Sequence, residues 1–383
     1  MSKVIFGDVV RRANTKEDRH NTDKIYYVGG EHIESNEVLI ETRGLIEGST
    51  IGPMFYFGFK AGDVLFVSRN PHLRKAGMVT FDGICSEKTF VLETKDESVL
   101  LQRYLAFVMQ SDHFWSYMEA HKSGSVNFFI NWSTLEKYEF DLPDIEKQKS
   151  LSDMLWAINT TKNAYRNLTF KIDALIKSEF LEQFGSPVSL GNKWEIKTIG
   201  EVTTTQLGKM LNTKKQTGTC QRYYLANRNV QWFRLDFEDL RMMDFDETER
   251  KKYQLQDNDL LVCEGGEIGR CAIWHNEIED CYIQNAVHRV RCNKEEILPL
   301  FLGHILYYHA QENGFEDIVG SKSTIAHLPA DKLNAMKIFV PPIELQKKFE
   351  EFARKCNDSK LELSNSISNL IGLERSILSE NFN

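Results

Sequence analysis

No segment of the chain approaches the roughly 18 unbroken apolar residues that a membrane-spanning helix requires, which argues against a membrane protein. The opening MSKVIFGDVVRR lacks the apolar run and small-residue cleavage site of a secretory signal, so a cytoplasmic chain is expected. The seven cysteines, Cys85, Cys220, Cys263, Cys271, Cys281, Cys292 and Cys356, are odd in number and never spaced as CxxC. In a reducing compartment they read as free thiols. Gaps of eight to forty-three residues between 220 and 292 do not offer paired zinc ligands, and no metal is expected.

Catalytic signatures are also missing. An amino-methyltransferase needs an Asn/Asp-Pro-Pro-aromatic loop to hold the target amine and stack a flipped base. Asn70-Pro71-His72-Leu73 lacks the second proline and the ring, and Val340-Pro341-Pro342-Ile343 lacks the polar residue and the ring. Gly265-Gly266-Glu267-Ile268-Gly269 has no lysine to reach phosphate oxygens and reads as a turn between strands. The acids of Pro143-Asp144 and Glu146-Lys147 suit the first turn of a helix better than a metal-dependent nuclease. His72, His288, His304, His309 and His327 have no HExxH pairing and read as surface or locally hydrogen-bonded residues. No catalytic residue is expected.

What the chain has is length and a soluble composition. With 383 residues, 42% hydrophobic and 27% charged, two or three domains are expected. A formal charge of −8 argues against coating nucleic acid by bulk attraction. It leaves room for a local basic face, because phosphate contacts depend on where cations sit rather than on their sum.

The chain is also one plan written twice. Pro143-Asp144-Ile145-Glu146-Lys147-Gln148-Lys149 matches Pro341-Pro342-Ile343-Glu344-Leu345-Gln346-Lys347 at an offset of 198. After each, apolar residues repeat every seven: Leu151, Ile158, Tyr165 and Ile172, then Phe349, Cys356, Leu363, Leu370 and Ile377. A second seam is expected beside each, Met154, Thr161, Leu168 and Leu175 matching Phe352, Ser359, Ser366 and Leu373. These patterns predict two heptad helices of about forty residues, roughly 60 Å each. Gly185-Ser186-Pro187 ends the first. Before the helices, Ala61 to Val67 resembles Asp257 to Cys263, a turn and then a buried strand, and Ser123 to Val126 parallels Gly320 to Ile325. The order is head (1–142), helix (143–187), head (188–340), helix (341–383), with amphipathic helices expected near 98–120 and 296–312. The matching seams should pair, and an antiparallel pair would hold the heads apart.

Two heads, two spacer helices and the Pro-x-Ile-Glu-x-Gln-Lys start of each helix resemble the specificity subunits of type I restriction-modification systems over essentially the whole chain. The first motif has a single proline where the family often has two. The resemblance implies an α/β (α+β) fold with two similar mixed target-recognition domains separated by a pair of long antiparallel coiled-coil helices. It implies that each head reads one half of a split double-stranded DNA target. The helices would set the gap and, on their exposed faces, dock two modification (adenine methyltransferase) subunits. S-adenosylmethionine, ATP and magnesium are expected on partner subunits, with restriction/translocase subunits as further partners.

Base readout uses Arg, Lys, Asn, Gln, Ser and Thr on loops, with phosphates holding register. Candidate DNA contacts in the first head are Arg11, Arg12, Arg69, Arg74, Lys75 and Ser125. In the second they are Lys209, Lys214, Lys215, Arg222, Tyr223, Arg228, Ser321 and Lys322. The competing reading is a non-catalytic two-headed coiled-coil scaffold joining protein partners.

Overall fold

The computed structural model describes residues 2–191, 193–212, 216–315 and 327–382. Two compact units emerge, Met1–Leu168 with Glu362–Asn383, and Thr169–Leu361. Each contains one head and one stretch of both long helices.

In the first unit, strand Val64–Val67 lies inside a five-stranded sheet, flanked antiparallel by Thr89–Thr94 and Ala76–Val79, with Val10–Ala13 and Leu39–Ile40 outermost. The strand starts where it does because Gly62, at φ 95, makes the turn that an L side chain would strain. Asp63 closes that turn by accepting the Lys60 N–H at 2.8 Å. Alternation then divides the strand between two cores. Val64 and Phe66 face helices Gln102–Val108 and Asp112–Ala120, beside Leu105, Phe114 and Trp115. Leu65 and Val67 face Phe57, Phe59 and Val28 of a second, four-stranded sheet. Strand Ser2–Ile5 pairs antiparallel with Glu139–Leu142, the last strand before the first long helix.

The second unit repeats this plan. Strand Leu260–Cys263 runs between Val287–Cys292 and Cys271–Ile273, with Thr203–Leu207 outside. Leu260 and Val262 enter the core shared with the helices, whereas Leu261 and Cys263 enter the core on the other face. The smaller sheets correspond too. Tyr26–Val28 has an antiparallel and a parallel neighbour, as does Gln221–Leu225. All seven cysteines are free thiols.

Four expectations need correction, the last of them in the long helices. The helix expected over 98–120 is two helices, broken at Met109 to Ser111, where extended Ser111 caps the second by accepting the Phe114 N–H at 3.1 Å. The helix near 296–312, Pro299–Gln311, is not amphipathic: ten of its residues are buried, including His304 and His309. It is sandwiched between sheet and long helices, so it has little face left for water. His304, expected at the surface or hydrogen-bonded, is 3% exposed and neither ring nitrogen has a partner among the described residues. His288, by contrast, bonds the Leu328 carbonyl at 2.8 Å.

The long helices are Ile145–Phe184, of 40 residues, and Ile343–Asn381, of 39. Gly185 ends the first in the left-handed region, φ 89, its N–H returning to the Leu181 carbonyl at 2.9 Å. Within the first unit, Leu151, Leu155 and Ile158 share a core with Leu370, Ile377, Leu378 and Phe382, and Lys162 meets Glu374 at 2.5 Å. Within the second, Ile172, Ile176, Phe180 and Phe184 share a core with Phe349, Ala353 and Cys356, and Lys360 bonds Asp173. Tyr165 and Leu363 are half-buried. The second seam departs from expectation, since Met154, Leu168, Leu175 and Leu373 are each about half exposed. The flank carrying Leu155 and Lys162 is buried instead, because it is the one turned to the head and the partner helix.

Candidate nucleic-acid interface

In each head, segments far apart in sequence converge at the end of the central buried strand. In the first, strand Val64–Val67 runs into the loop that begins at Arg69. Asn70 (φ 52) and Arg74 (φ 49) bracket the short turn Pro71–Leu73, both left-handed, a conformation Asn tolerates and Arg adopts at a cost. The Arg74 guanidinium is held by Asp112 at 2.6 Å, and the Lys75 ammonium donates to the Gly30 carbonyl at 2.6 Å. Arg69 is exposed and makes no hydrogen bond or ion pair among the described residues, and its charge helps to lower the Glu87 pKa, after Lys88 and Tyr56.

The loop around Ser123 to Asn127 docks on this one. The Asn70 N–H donates to the Phe128 carbonyl at 2.9 Å and the Ile130 N–H to Ser68 at 2.8 Å. Gly124 (φ 96) permits the tight return, since a Cβ there would lie 2.6 Å from the Asn127 carbonyl oxygen. Ser125 and Val126 stand at the exposed tip, Val126 at 83% exposure. Two loops singled out separately in the sequence thus form one surface, with Arg69 as a cation left unpaired among the described residues.

Arg11 and Arg12 sit on strand Val10–Ala13. Arg11 pairs with Glu93 at 2.7 Å. The Arg12 guanidinium lies 4.2 Å from the Phe90 ring centre and 5.2 Å from that of Phe57, and burial pulls its pKa down. Both line a shallow cleft with Asn14, Lys95 and Trp132.

The second head converges likewise. The loop after Leu260–Cys263 meets the turn Asn227–Asn229: the Asn227 side-chain amide donates to the Gly265 carbonyl at 2.6 Å, and Arg270 donates to the Asn227 carbonyl at 3.0 Å. Arg270 therefore plays the part that Lys75 plays on Gly30. The Leu328 N–H donates to the Glu264 carbonyl at 2.7 Å, so the chain returns to the same place after 316–326 as it does after Ser125. Arg228 shares Asp239 with Arg241, at 2.9 and 3.1 Å. Arg222 pairs with Asp280, which also accepts the Tyr282 hydroxyl, and Tyr223 is 41% exposed on the same strand. Lys209 is turned inward: its ammonium donates to the Asp244 carbonyl and to Glu249, both at 2.5 Å, over the Phe245 ring. Lys214, Lys215, Ser321 and Lys322 lie outside the described residues.

Arg270, Asp239 and Asp280, the partners that orient this surface, are not among the residues expected from the sequence. Asp239 and Asp280 also bond Arg241 and Tyr282 two positions on, but no local signal marks the long-range pairings with Asn227, Arg228 and Arg222 that orient the surface. Among the described residues no group of His, Cys, Asp and Glu is arranged to hold a metal ion. No described helix is long and apolar enough to cross a membrane.

Residues 191–372 match the family model of the type I restriction modification DNA specificity domain. No curated protein sequence matches the chain. Among solved structures, the fold is similar to the type I restriction-modification S subunit from M. genitalium, with TM-score 0.60 and 14% identity over 98% of this chain and 94% of that one. It is also similar to a chain from a structure addressing complex assembly and conformational transition of the type I R-M system, with TM-score 0.58 and 16% identity over 100% and 97% of the two chains. The second half of the chain thus matches the type I restriction modification DNA specificity domain, and the fold over the whole length is similar to those of these two solved structures.

Proposed function

We propose that each head reads one half of a bipartite double-stranded DNA target and that the long helices set the gap between the halves. The observation that carries this is the doubled convergence of polar loops at the end of a buried strand, around Arg69 in one head and Asn227 in the other. Such loops offer backbone N–H groups, hydroxyls and cations on a rigid support, which is what phosphate positioning and base readout require. The subunit supplies recognition and no bond-making. Methyl transfer would come from two modification subunits docked on the exposed faces of the helices, which carry Met154, Leu168, Leu175 and Leu373 half exposed. S-adenosylmethionine, ATP and magnesium would be bound by partner subunits, including any restriction/translocase subunits.

Replacing the 69–75 and 123–129 loops together should change one half of the methylated motif and leave the other intact, as read by methylome sequencing. A change in both halves overturns the division of labour. Inserting seven residues after Leu168, with seven after Leu361, keeps the heptad phase and lengthens the rods by about 10 Å, close to three base pairs. The gap should grow accordingly. Binding of duplex DNA by the assembled complex should fall steeply with salt; none at low salt would favour the scaffold reading.

A further inference from the structure

The glutamine of the duplicated helix-start motif is used identically in both halves. Gln148 and Gln346 have no exposed surface. The Gln148 side-chain oxygen accepts the Leu101 N–H at 3.0 Å, and its amide donates to the Val99 and Pro143 carbonyls, both at 2.9 Å. Gln346 accepts the Leu298 N–H at 2.9 Å and donates to Glu296 and Pro341, both at 2.8 Å. Leu101 and Leu298 are the residues that open the buried helix of each head, and Pro143 and Pro341 precede the long helices. One planar amide therefore ties three backbone segments: the end of the head, the start of its core helix and the root of the rod.

Only glutamine satisfies this junction. An ionised glutamate would face two carbonyl oxygens with a carboxylate, asparagine is one methylene short, and an apolar side chain would orphan a buried N–H and two carbonyls. The junction also sits at the worst place for play. A rod about 60 Å long that pivots by about 5° at its root moves its far end by about 5 Å, more than the roughly 3.4 Å rise of a base pair.

We propose that Gln148 and Gln346 are positioning residues that stiffen the joint between each head and its rod, and so set how sharply the protein discriminates gap length, independently of the half-site sequences. This rests on the bipartite reading above. The two joints are unequal. Glu350 reinforces the second by accepting the Leu300 and Phe301 N–H groups at 3.0 and 3.2 Å, whereas its counterpart Ser152 is buried with its hydroxyl unpartnered. The first joint thus depends more on its glutamine.

The test uses the full chain assembled with its modification subunits. The motif found by methylome sequencing is placed in duplexes whose gap is correct or one base pair longer or shorter. Gln148→Met should lower the preference for the correct gap by about tenfold with both half-site sequences unchanged, and Gln346→Met by less. Val64→Ala, in the same head but away from the joint, serves as a control for lost stability. If Gln148→Met keeps the wild-type gap preference, or if Val64→Ala at comparable melting temperature relaxes it equally, the proposal is overturned. Should Gln148→Met not fold, Gln148→Glu, which retains shape and an acceptor, decides by the same criterion. A wild-type protein with no gap preference would instead sink the bipartite reading itself.

Discussion

Lys162 and Lys360 occupy equivalent places on the two long helices, 198 residues apart, yet meet different company. In the first unit Lys162 is 3% exposed and faces Glu374, itself 8% exposed. In the second, the position equivalent to Glu374 is the buried Ile176, and Lys360 reaches instead to Asp173 at the half-exposed rim. The heads diverge in the same manner. Asp63 and Asp259 close equivalent turns and are both buried. Asp259 is clamped by Arg291 through two bonds of 2.7 and 2.8 Å, whereas Asp63 has Glu93 nearby in place of the arginine. Duplication fixed the backbone and the apolar pattern, while the buried charges were free to be solved separately. The two units therefore share a fold but should not share a stability profile.

The largest difference should come from removing Glu374. Leaving Lys162 buried without its anion costs about 3–5 kcal/mol, so Glu374→Ala should lower the unfolding midpoint of the first unit in chemical denaturation while the second transition stays put.

Next come the equivalent aspartates, where the same substitution should act with opposite sign. Asp259→Asn strands Arg291, which is partly exposed, and should destabilise by about 2–3 kcal/mol. Burial, with Glu93 adding to it, pushes the Asp63 carboxyl up to about 6. The native state then holds its proton more tightly than the unfolded chain does. The contribution is full below the ordinary carboxyl range near 4 and is lost as pH rises through about 6. Asp63→Asn should therefore stabilise above pH 6, by about 1–3 kcal/mol, and flatten the dependence. Melting curves from pH 4 to 8 test both variants, and a loss of stability in Asp63→Asn at pH 8 would refute the assignment.

Burial lowers the His304 pKa to about 3, which acts in the other direction. Its contribution to the second unit is present above about 6.5 and is lost as pH falls toward 3. His304→Phe removes two unsatisfied nitrogens and should raise stability by about 1–2 kcal/mol, with less acid sensitivity. Smallest of all, Asp173→Ala should cost under about 1 kcal/mol, because the Lys360 pair is screened by solvent. A loss as large as that of Glu374→Ala would erase the contrast between the units.

Much of this plan was legible in the sequence, for physical reasons. A backbone repeated at a fixed offset reveals itself through residues whose role is geometric, such as the helix-start prolines, Gly185 and the glutamines. The pairing of the rods was legible because heptads encode it locally. Less legible was which flank of each helix a head would cover, so the seam at Met154, Leu168 and Leu175 was read as buried when it faces solvent. The break at Ser111 is marked only by the short polar run Gln110-Ser111-Asp112-His113 between two apolar stretches, which the wet face of one continuous helix could also carry. Charged residues were hardest. Lys209 looks on paper like Arg69, but one is consumed by Glu249 and Asp244 and the other is unpaired, and only tertiary neighbours decide that.

The first unit is completed by residues 362–382, with Phe382 stacked on Tyr104 at 4.7 Å and Ile377 in the same core. On a ribosome, the N-terminal head emerges first yet waits for the last stretch of the described chain, while the second unit has all its pieces once Leu361 is out. The core of the unit made first is thus closed by the residues made last in the described chain. A nascent chain stalled near residue 361 would carry a finished second half and a first half with its hydrophobic flank bare, a natural client for chaperones.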